Sequence, residues 1–199
     1  FLLDEFAVDV VLSDDGLQHY RMHRDLEIAV LDARRGLGNG QCLPAGPLRE
    51  PPARLADVDF IVCNGVVESG STFLPGAASA NIINMSLQPT FFRHLRSGQR
   101  VPANNWTGPR SVHAVAGIGN PERFSTTLSV LGLEPQLHSF ADHHSFTPTD
   151  LEFADDLPLV MTSKDAVKCE AFAPDNAWVL EVAADLDPSL AQAIKGLLV

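Results

Sequence analysis

Val10-Val11-Leu12-Ser13-Asp14-Asp15-Gly16-Leu17-Gln18-His19 is the stretch on which the reading of the chain turns. A β-branched, apolar run ends in two adjacent carboxylates, followed by a glycine, a leucine, an amide and an imidazole. Runs of this kind suit a buried parallel strand. In open α/β sheets ligands bind just beyond the carboxyl ends of such strands. Two acids placed there, with a glycine to turn the chain sharply, are set to hold a hard cation such as Mg²⁺. The same residues also describe an ordinary strand end with a polar turn, and the local pattern does not separate the two readings.

Working outward, the chain has 199 residues, 45% of them hydrophobic and 20% charged, which is enough to bury a sizeable core. No apolar stretch approaches the roughly 18 residues that span a bilayer, and no basic-then-apolar leader is present. The chain opens on Phe1-Leu2-Leu3 without an initiator Met, which reads as an internal piece of a longer protein. Cys42, Cys63 and Cys169 form no CxxC pair and read as reduced, structural thiols. A net charge of −11 argues against nucleic-acid binding. Residues 14–54 are neutral, however, with six arginines against six acids, and hold none of the lysines. Arginine forks suit phosphates and carboxylates, and they equally suit surface ion pairs.

Taken in order, residues 8–13 read as a first strand and residues 25–32 as a second that again ends in an acid. Gly36-Leu37-Gly38-Asn39-Gly40 is loop, and the proline-rich 43–52 segment is a rigid loop without regular structure. A short helix over 53–57 leads to a strand over 58–65, an α/β pattern. Residues 69–80 read as loop. Residues 81–95 are strand-like, with Pro89 marking an edge or a bend. Residues 98–109 are turn-rich. A second α/β unit follows: a strand over 111–116 into the Gly117-Ile118-Gly119 turn, then a helix capped by Asn120-Pro121 and ended by Gly132. Next come strands over 136–140, 159–162 and 178–182, helices starting at Thr147-Pro148 and over 164–170, and a terminal helix capped by Asp187-Pro188.

A second polar cluster, Asp142-His143-His144, follows one of these strands. A histidine beside a carboxylate can be a general base or a metal ligand, or simply part of a solvated loop. The Gly117–Gly119 turn could present N–H groups to an anion, but it reads more simply as a tight turn. Thr162-Ser163-Lys164-Asp165 reads as a surface turn. None of the three lysines follows a glycine, so these 199 residues hold no Gly-Lys-Ser/Thr phosphate loop.

Taken together, the blocks resemble the tetraacyldisaccharide 4'-kinases of lipid A biosynthesis. The resemblance rests on Ser13-Asp14-Asp15-Gly16-Leu17-Gln18-His19-Tyr20-Arg21 and Arg24-Asp25-Leu26-Glu27-Ile28. It continues in Arg35-Gly36-Leu37-Gly38-Asn39-Gly40 and Leu43-Pro44-Ala45-Gly46-Pro47-Leu48-Arg49-Glu50. It extends through Ala116-Gly117-Ile118-Gly119-Asn120-Pro121-Glu122-Arg123-Phe124, Ala141-Asp142-His143-His144, and Met161-Thr162-Ser163-Lys164-Asp165-Ala166-Val167-Lys168-Cys169. The family resemblance implies an α/β fold: a P-loop-kinase-like parallel sheet, incomplete here, plus a smaller α/β domain joined by a two-stranded linker. Its implied bounds are 1–83 for the C-terminal part of the kinase domain and 84–110 for a linker strand and loop. The small domain would span 111–176, and a return strand and terminal helix 177–199.

The implied reaction moves the ATP γ-phosphate to the 4'-hydroxyl of a tetraacyldisaccharide 1-phosphate, with Mg²⁺ as cofactor. It would take place at the cytoplasmic face of the Gram-negative inner membrane. Asp14 and Asp15 match the family's metal-positioning acids, with Asp15 also catalytic. Gln18 and His19 should face the reacting groups, and Arg49 is a candidate for substrate phosphate. His143 matches the family's active-site histidine, which works in a dyad with an aspartate upstream of residue 1. The family's phosphate loop and membrane-associating helix would also precede residue 1. The piece itself is therefore expected to be soluble and inactive alone. Ser163 departs from the family's usual glutamate. Two other readings stand beside this one: an Asp-His-His metal phosphoesterase built on His143 and His144, and a non-catalytic, aggregation-prone fragment.

Overall fold

The computed structural model describes residues 5, 6, 8–67 and 81–197. The expected loop over 69–80 lies outside the described residues. The chain is α/β and forms two compact units, Phe1–Leu87 with Ala184–Val199, and Gln88–Ala183.

In the first unit, β1 (Ile28–Asp32), β2 (Phe60–Asn64) and the start of β3 (Asn81–His94) run parallel. The register sets Ile28 beside Phe60 and Phe60 beside Asn81. Strand β2 is apolar on both faces, as a central parallel strand must be. Ile61 and Cys63 enter one cluster with Ala29, Leu37, Leu55 and Val58, while Phe60 and Val62 enter another with Ile83 and Leu190. Leu55 comes from a 3-10 turn, Pro52–Ala56, where a short helix was expected. Leu190 comes from the terminal helix Pro188–Gly196, whose first turn is capped by Asp187 accepting from the Ser189 N–H at 2.8 Å.

One expectation fails here. Residues 8–13 form no strand, and Leu12 is 88% exposed. β-Branched residues favour extended backbone, but a strand needs a neighbour to take its N–H and C=O groups, and these residues join no ladder. Pro89, read as an edge or a bend, does not end β3. It falls between the ladder to β2 (Asn81–Met85) and the ladder to β4 (Phe91–Arg93), where its missing N–H leaves no bond in either one unmade.

The second unit contains the end of β3, β4 (Arg100–Pro102), β5 (Ser111–Ala116), β6 (Glu134–Ser139), β7 (Leu159–Thr162) and most of β8 (Ala177–Leu186). Strands β6, β5, β7 and β8 are neighbours in that order, and all three pairs are parallel. Alternation along the strands builds two apolar faces. Val112, Ala114, Ala116, Val160 and Leu180 pack with Phe124 and Leu128 of α1 (Pro121–Val130). Val115, Leu159, Met161 and Val179 pack with Ala166 and Cys169 of α2 (Ser163–Cys169). Helix α1 starts as the sequence predicts, with the Asn120 side chain accepting from the Arg123 N–H at 3.2 Å and Pro121 in the first turn. Its end is released by Gly132 in the left-handed region, φ 86°. The segment at Thr147-Pro148 is a single 3-10 turn, Pro148–Leu151, closed by a capping box between Thr147 and Asp150.

Strand β5 lies between β6 and β7, so the chain reverses its winding between β5 and β7. In open α/β sheets, ligands bind beyond the carboxyl ends of the strands at such reversals. A change that hollows out the α1 face should unfold this unit. Leu128→Ala, at a side chain with no exposure, is expected to cost about 2–5 kcal/mol in urea unfolding. Val130→Ala, at an exposed position of the same helix, should stay within about 0.5 kcal/mol.

Candidate active site

In the first unit the acid stretch forms two consecutive turns. His19 N–H donates to the Gly16 carbonyl at 3.0 Å, and Met22 N–H donates to the His19 carbonyl at 3.0 Å. A Cβ at 16 would lie 2.3 Å from the Ser13 hydroxyl oxygen and 2.9 Å from the Ser13 Cβ, a clash that glycine avoids. Asp15 adopts a left-handed backbone, φ 51°. Its carboxylate meets Arg49, whose Nη1 lies 2.7 Å from both oxygens. That guanidinium holds the Asp15 carboxyl below its ordinary pKa, by hydrogen bonding first and by charge second. The same Nη1 lies 3.4 Å from Gln18 Oε1, while the Gln18 amide NH₂ donates to Glu50. Asp15, Gln18 and Arg49 are therefore brought together. Asp14 is exposed beside them, and so is His19.

The loop that carries Arg49 is fixed by its own bonds. Asp32 accepts from the Arg34 and Arg35 N–H groups, Asn39 donates to the Ala45 carbonyl at 2.9 Å, and Leu48 N–H donates to Gln41 at 3.1 Å. A Cβ on Gly46 would strike the Gln41 carbonyl at 2.3 Å. The expectation of a rigid loop without regular structure holds for this reason.

Beneath the two loops lies an ion-pair network that the sequence reading missed. Glu27 receives Arg24 Nε at 2.6 Å and Arg54 Nη2 at 2.7 Å. Burial works to raise the Glu27 pKa, but Arg54 and Arg24 together overcome it and hold the carboxyl below its ordinary value. Arg24 and Glu27 stand three residues apart, the only sequence hint of this pairing.

In the second unit, three loops gather at the carboxyl ends of parallel strands. Asp165 is fully buried and joins two of them. It accepts from the Gly117 N–H at 3.0 Å, the Thr162 hydroxyl at 2.8 Å and Lys168 Nζ at 3.2 Å. The reading of 162–165 as a surface turn is corrected: Thr162 caps α2, and its Asp165 partner is core. The third loop carries Asp142 and His143. Asp142 pairs with Lys164 at 3.0 Å, which lowers its pKa, and it accepts from the His143 backbone N–H at 3.0 Å. His143 has φ 64° and an exposed ring, its Nε2 3.8 Å from Asp142.

His144 is turned the other way. It stacks on Phe140, meets Phe146 edge-on, and bonds Asp150 at 3.2 Å. Among the described residues no three His, Cys, Asp or Glu side chains converge to hold a metal. The Asp142-His143-His144 run thus builds no two-metal centre there. Elsewhere in this unit His113 Nδ1 lies 3.0 Å from His138 Nε2, and its Nε2 lies 2.9 Å from Asp155. No spacing in the sequence announces this pair, in which His113 is buried and His138 half-buried. All three cysteines are free thiols, and Cys63 and Cys169 are buried.

A model of the family described as tetraacyldisaccharide-1-P 4'-kinase matches residues 1–199. A tetraacyldisaccharide 4'-kinase of Stutzerimonas stutzeri is 51% identical over 183 residues, 92% of this chain and 52% of that protein. Its namesake in Pseudomonas aeruginosa is 50% identical over 188 residues, 94% of this chain and 54% of that protein. The chain spans about half the length of the curated relatives it matches. A crystal structure from Aquifex aeolicus, described as an apo form in complex with ATP, shares the fold at TM-score 0.70 and 21% identity. The match covers 99% of this chain and 60% of that one.

The Glu27 pairing sets a pH dependence. Its folded pKa is depressed, so its stabilisation is present above the unfolded value of about 4.3 and is lost as pH falls through the lower folded value. Glu27→Gln should be less stable than the native chain at pH 7. The gap should narrow steadily below about pH 4.5 in thermal melts followed across pH.

Proposed function

The chain belongs to the tetraacyldisaccharide-1-P 4'-kinase family, and from that premise we propose that it carries the metal-side and histidine-side parts of a phosphoryl-transfer site. The proposed reaction moves the ATP γ-phosphate onto the 4'-hydroxyl of a lipid A disaccharide 1-phosphate at the cytoplasmic face of the inner membrane. The observation that carries this reading is conformational. Among the described residues, Asp15 and His143 are the two non-glycine residues with a left-handed backbone. Such positions cost free energy and collect where a side chain must be aimed. These are also the two residues to which the resemblance gives catalytic roles.

The donor set suits Mg²⁺, because Asp14 and Asp15 are adjacent, exposed hard-oxygen ligands, and Mg²⁺ commonly takes one or two carboxylates with substrate phosphates. When bound, Mg²⁺ would offset the charge on the β- and γ-phosphates. For Asp15 to bind it, Arg49 must leave the carboxylate, which frees its guanidinium for substrate phosphate. Gln18 and His19 would border the reacting groups. The His143 ring is open to solvent, and its Nε2 can take the proton of an attacking hydroxyl. The inward-turned His144 and the lack of a convergent ligand group among the described residues disfavour the phosphoesterase reading. Among the described residues no helix is long and apolar enough to cross a membrane. Membrane association therefore stands on the family alone.

The test joins this chain to the remaining half of the Pseudomonas aeruginosa relative and follows ³²P transfer from γ-labelled ATP to tetraacyldisaccharide 1-phosphate. Transfer is expected, with kcat lowered about 100-fold or more by Asp15→Asn and by His143→Ala. Full activity of the His143→Ala chimera would overturn the assignment. The 199 residues alone hold no Gly-Lys-Ser/Thr loop and should give no ATP-dependent transfer.

A further inference from the structure

We propose that Arg54 and Glu50 are positioning residues that fix which end of the Gln18 amide faces Asp15. The inference deepens the kinase reading and takes its chemical meaning from it. Gln18 has a donor end and an acceptor end of nearly equal size, so only its neighbours can set its direction. Here the NH₂ end is committed to a Glu50 oxygen, an acceptor that cannot bond the carbonyl end. The Oε1 end is thereby turned towards Arg49 and the Asp15 carboxylate.

Glu50 holds this direction because it is itself held. Its other oxygen lies 3.4 Å from Arg54 Nε, and its side chain is only 15% exposed. It also accepts from the Tyr20 hydroxyl, a bond that raises the tyrosine pKa. Arg54 in turn is anchored by Glu27 at 2.7 Å, beside the first residue of β1, and the Glu27 N–H donates to Asp59 at 2.8 Å. The same Glu27 anchors Arg24, whose Nη1 donates to the Gly16 and His19 carbonyls at 3.1 and 3.0 Å. One carboxylate beside the sheet thus controls both the backbone of the acid turn and, through Arg54 and Glu50, the direction of the Gln18 amide.

A fixed direction matters for phosphoryl transfer, where catalysis is largely positioning. An Oε1 held beside the metal-side carboxylate presents an acceptor. It can orient the Arg49 guanidinium or a hydroxyl of the sugar acceptor. It cannot donate to a phosphate oxygen. Arginine is needed at 54 because its fork meets two carboxylates at once, which the single ammonium of lysine does less well.

The test uses this chain, labelled with ¹⁵N, and reads hydrogen exchange at the Gln18 side-chain NH₂. Protection is expected in the native chain, falling about tenfold in both Glu50→Gln and Arg54→Met. The backbone amides of Ile61 and Cys63 in β2 should keep their protection, and Arg54→Lys should fall between. Unchanged Gln18 exchange in Glu50→Gln with β2 intact would overturn the proposal, even if Arg54→Met failed to fold. In the chimera, Arg54→Met should lower kcat about tenfold and leave the KM for ATP within about twofold. An unchanged kcat would contradict the positioning role. An inactive native chimera would instead count against the kinase reading and leave the exchange data to decide this one.

Discussion

The carboxylate of Glu27, clasped by Arg24 and Arg54, is the interaction on which the candidate site of the first unit depends. Two guanidiniums on one half-buried carboxylate keep it ionised against the cost of burial. Each guanidinium then has donors left over. Arg24 spends them on the carbonyls of the acid turn, and Arg54 on Glu50. The turn and the proline-rich loop have few apolar side chains to anchor them, so ion pairs near the sheet take over that role. Asp15 and Arg49, by contrast, pair at the solvent-exposed edge. Such a pair adds little stability.

The second unit uses the same device with fewer parts. Asp165 is buried on α2 and accepts from the Gly117 N–H beyond β5. It therefore locks together the loops that follow β5 and β7, the two strands between which the winding reverses. A Cβ at Gly117 would sit 3.1 Å from the Phe146 ring and 3.2 Å from Asp165, a tight approach that glycine avoids. The Asp142–Lys164 pair lies at the same end of the sheet, with His143 beside it. In both units a rigid acceptor sits beneath a loop whose exposed residue has a left-handed backbone.

Much of this was legible in the sequence. Helix starts were, because Asn120-Pro121 and Asp187-Pro188 are local signals that need no tertiary partner. The parallel strands were, because continuous apolar runs such as 60–63 have nowhere to go but a sheet covered on both faces. The strand over 8–13 was misread because its composition is strand-like while pairing is a property of the neighbours. Asp15, Gln18, Arg49 and His143 were nameable through the family pattern, and the structure places the first three together. The Glu27 network, the buried Asp165 and the His138–His113–Asp155 chain were not legible. Each joins residues far apart in the chain, and a charged residue in a sequence looks the same whether it ends at a surface or in a clasp.

The proposed cation site is the adjacent pair Asp14 and Asp15. Paramagnetic broadening of the ¹⁵N-labelled chain by Mn²⁺, a stand-in for Mg²⁺, reads cation binding there residue by residue. Selective broadening of the amide signals of residues 14–18 and of Arg49 is expected, lost in an Asp14→Asn, Asp15→Asn double variant. Broadening centred on residues 142–144, or none at any site at millimolar Mn²⁺, would contradict the proposed site.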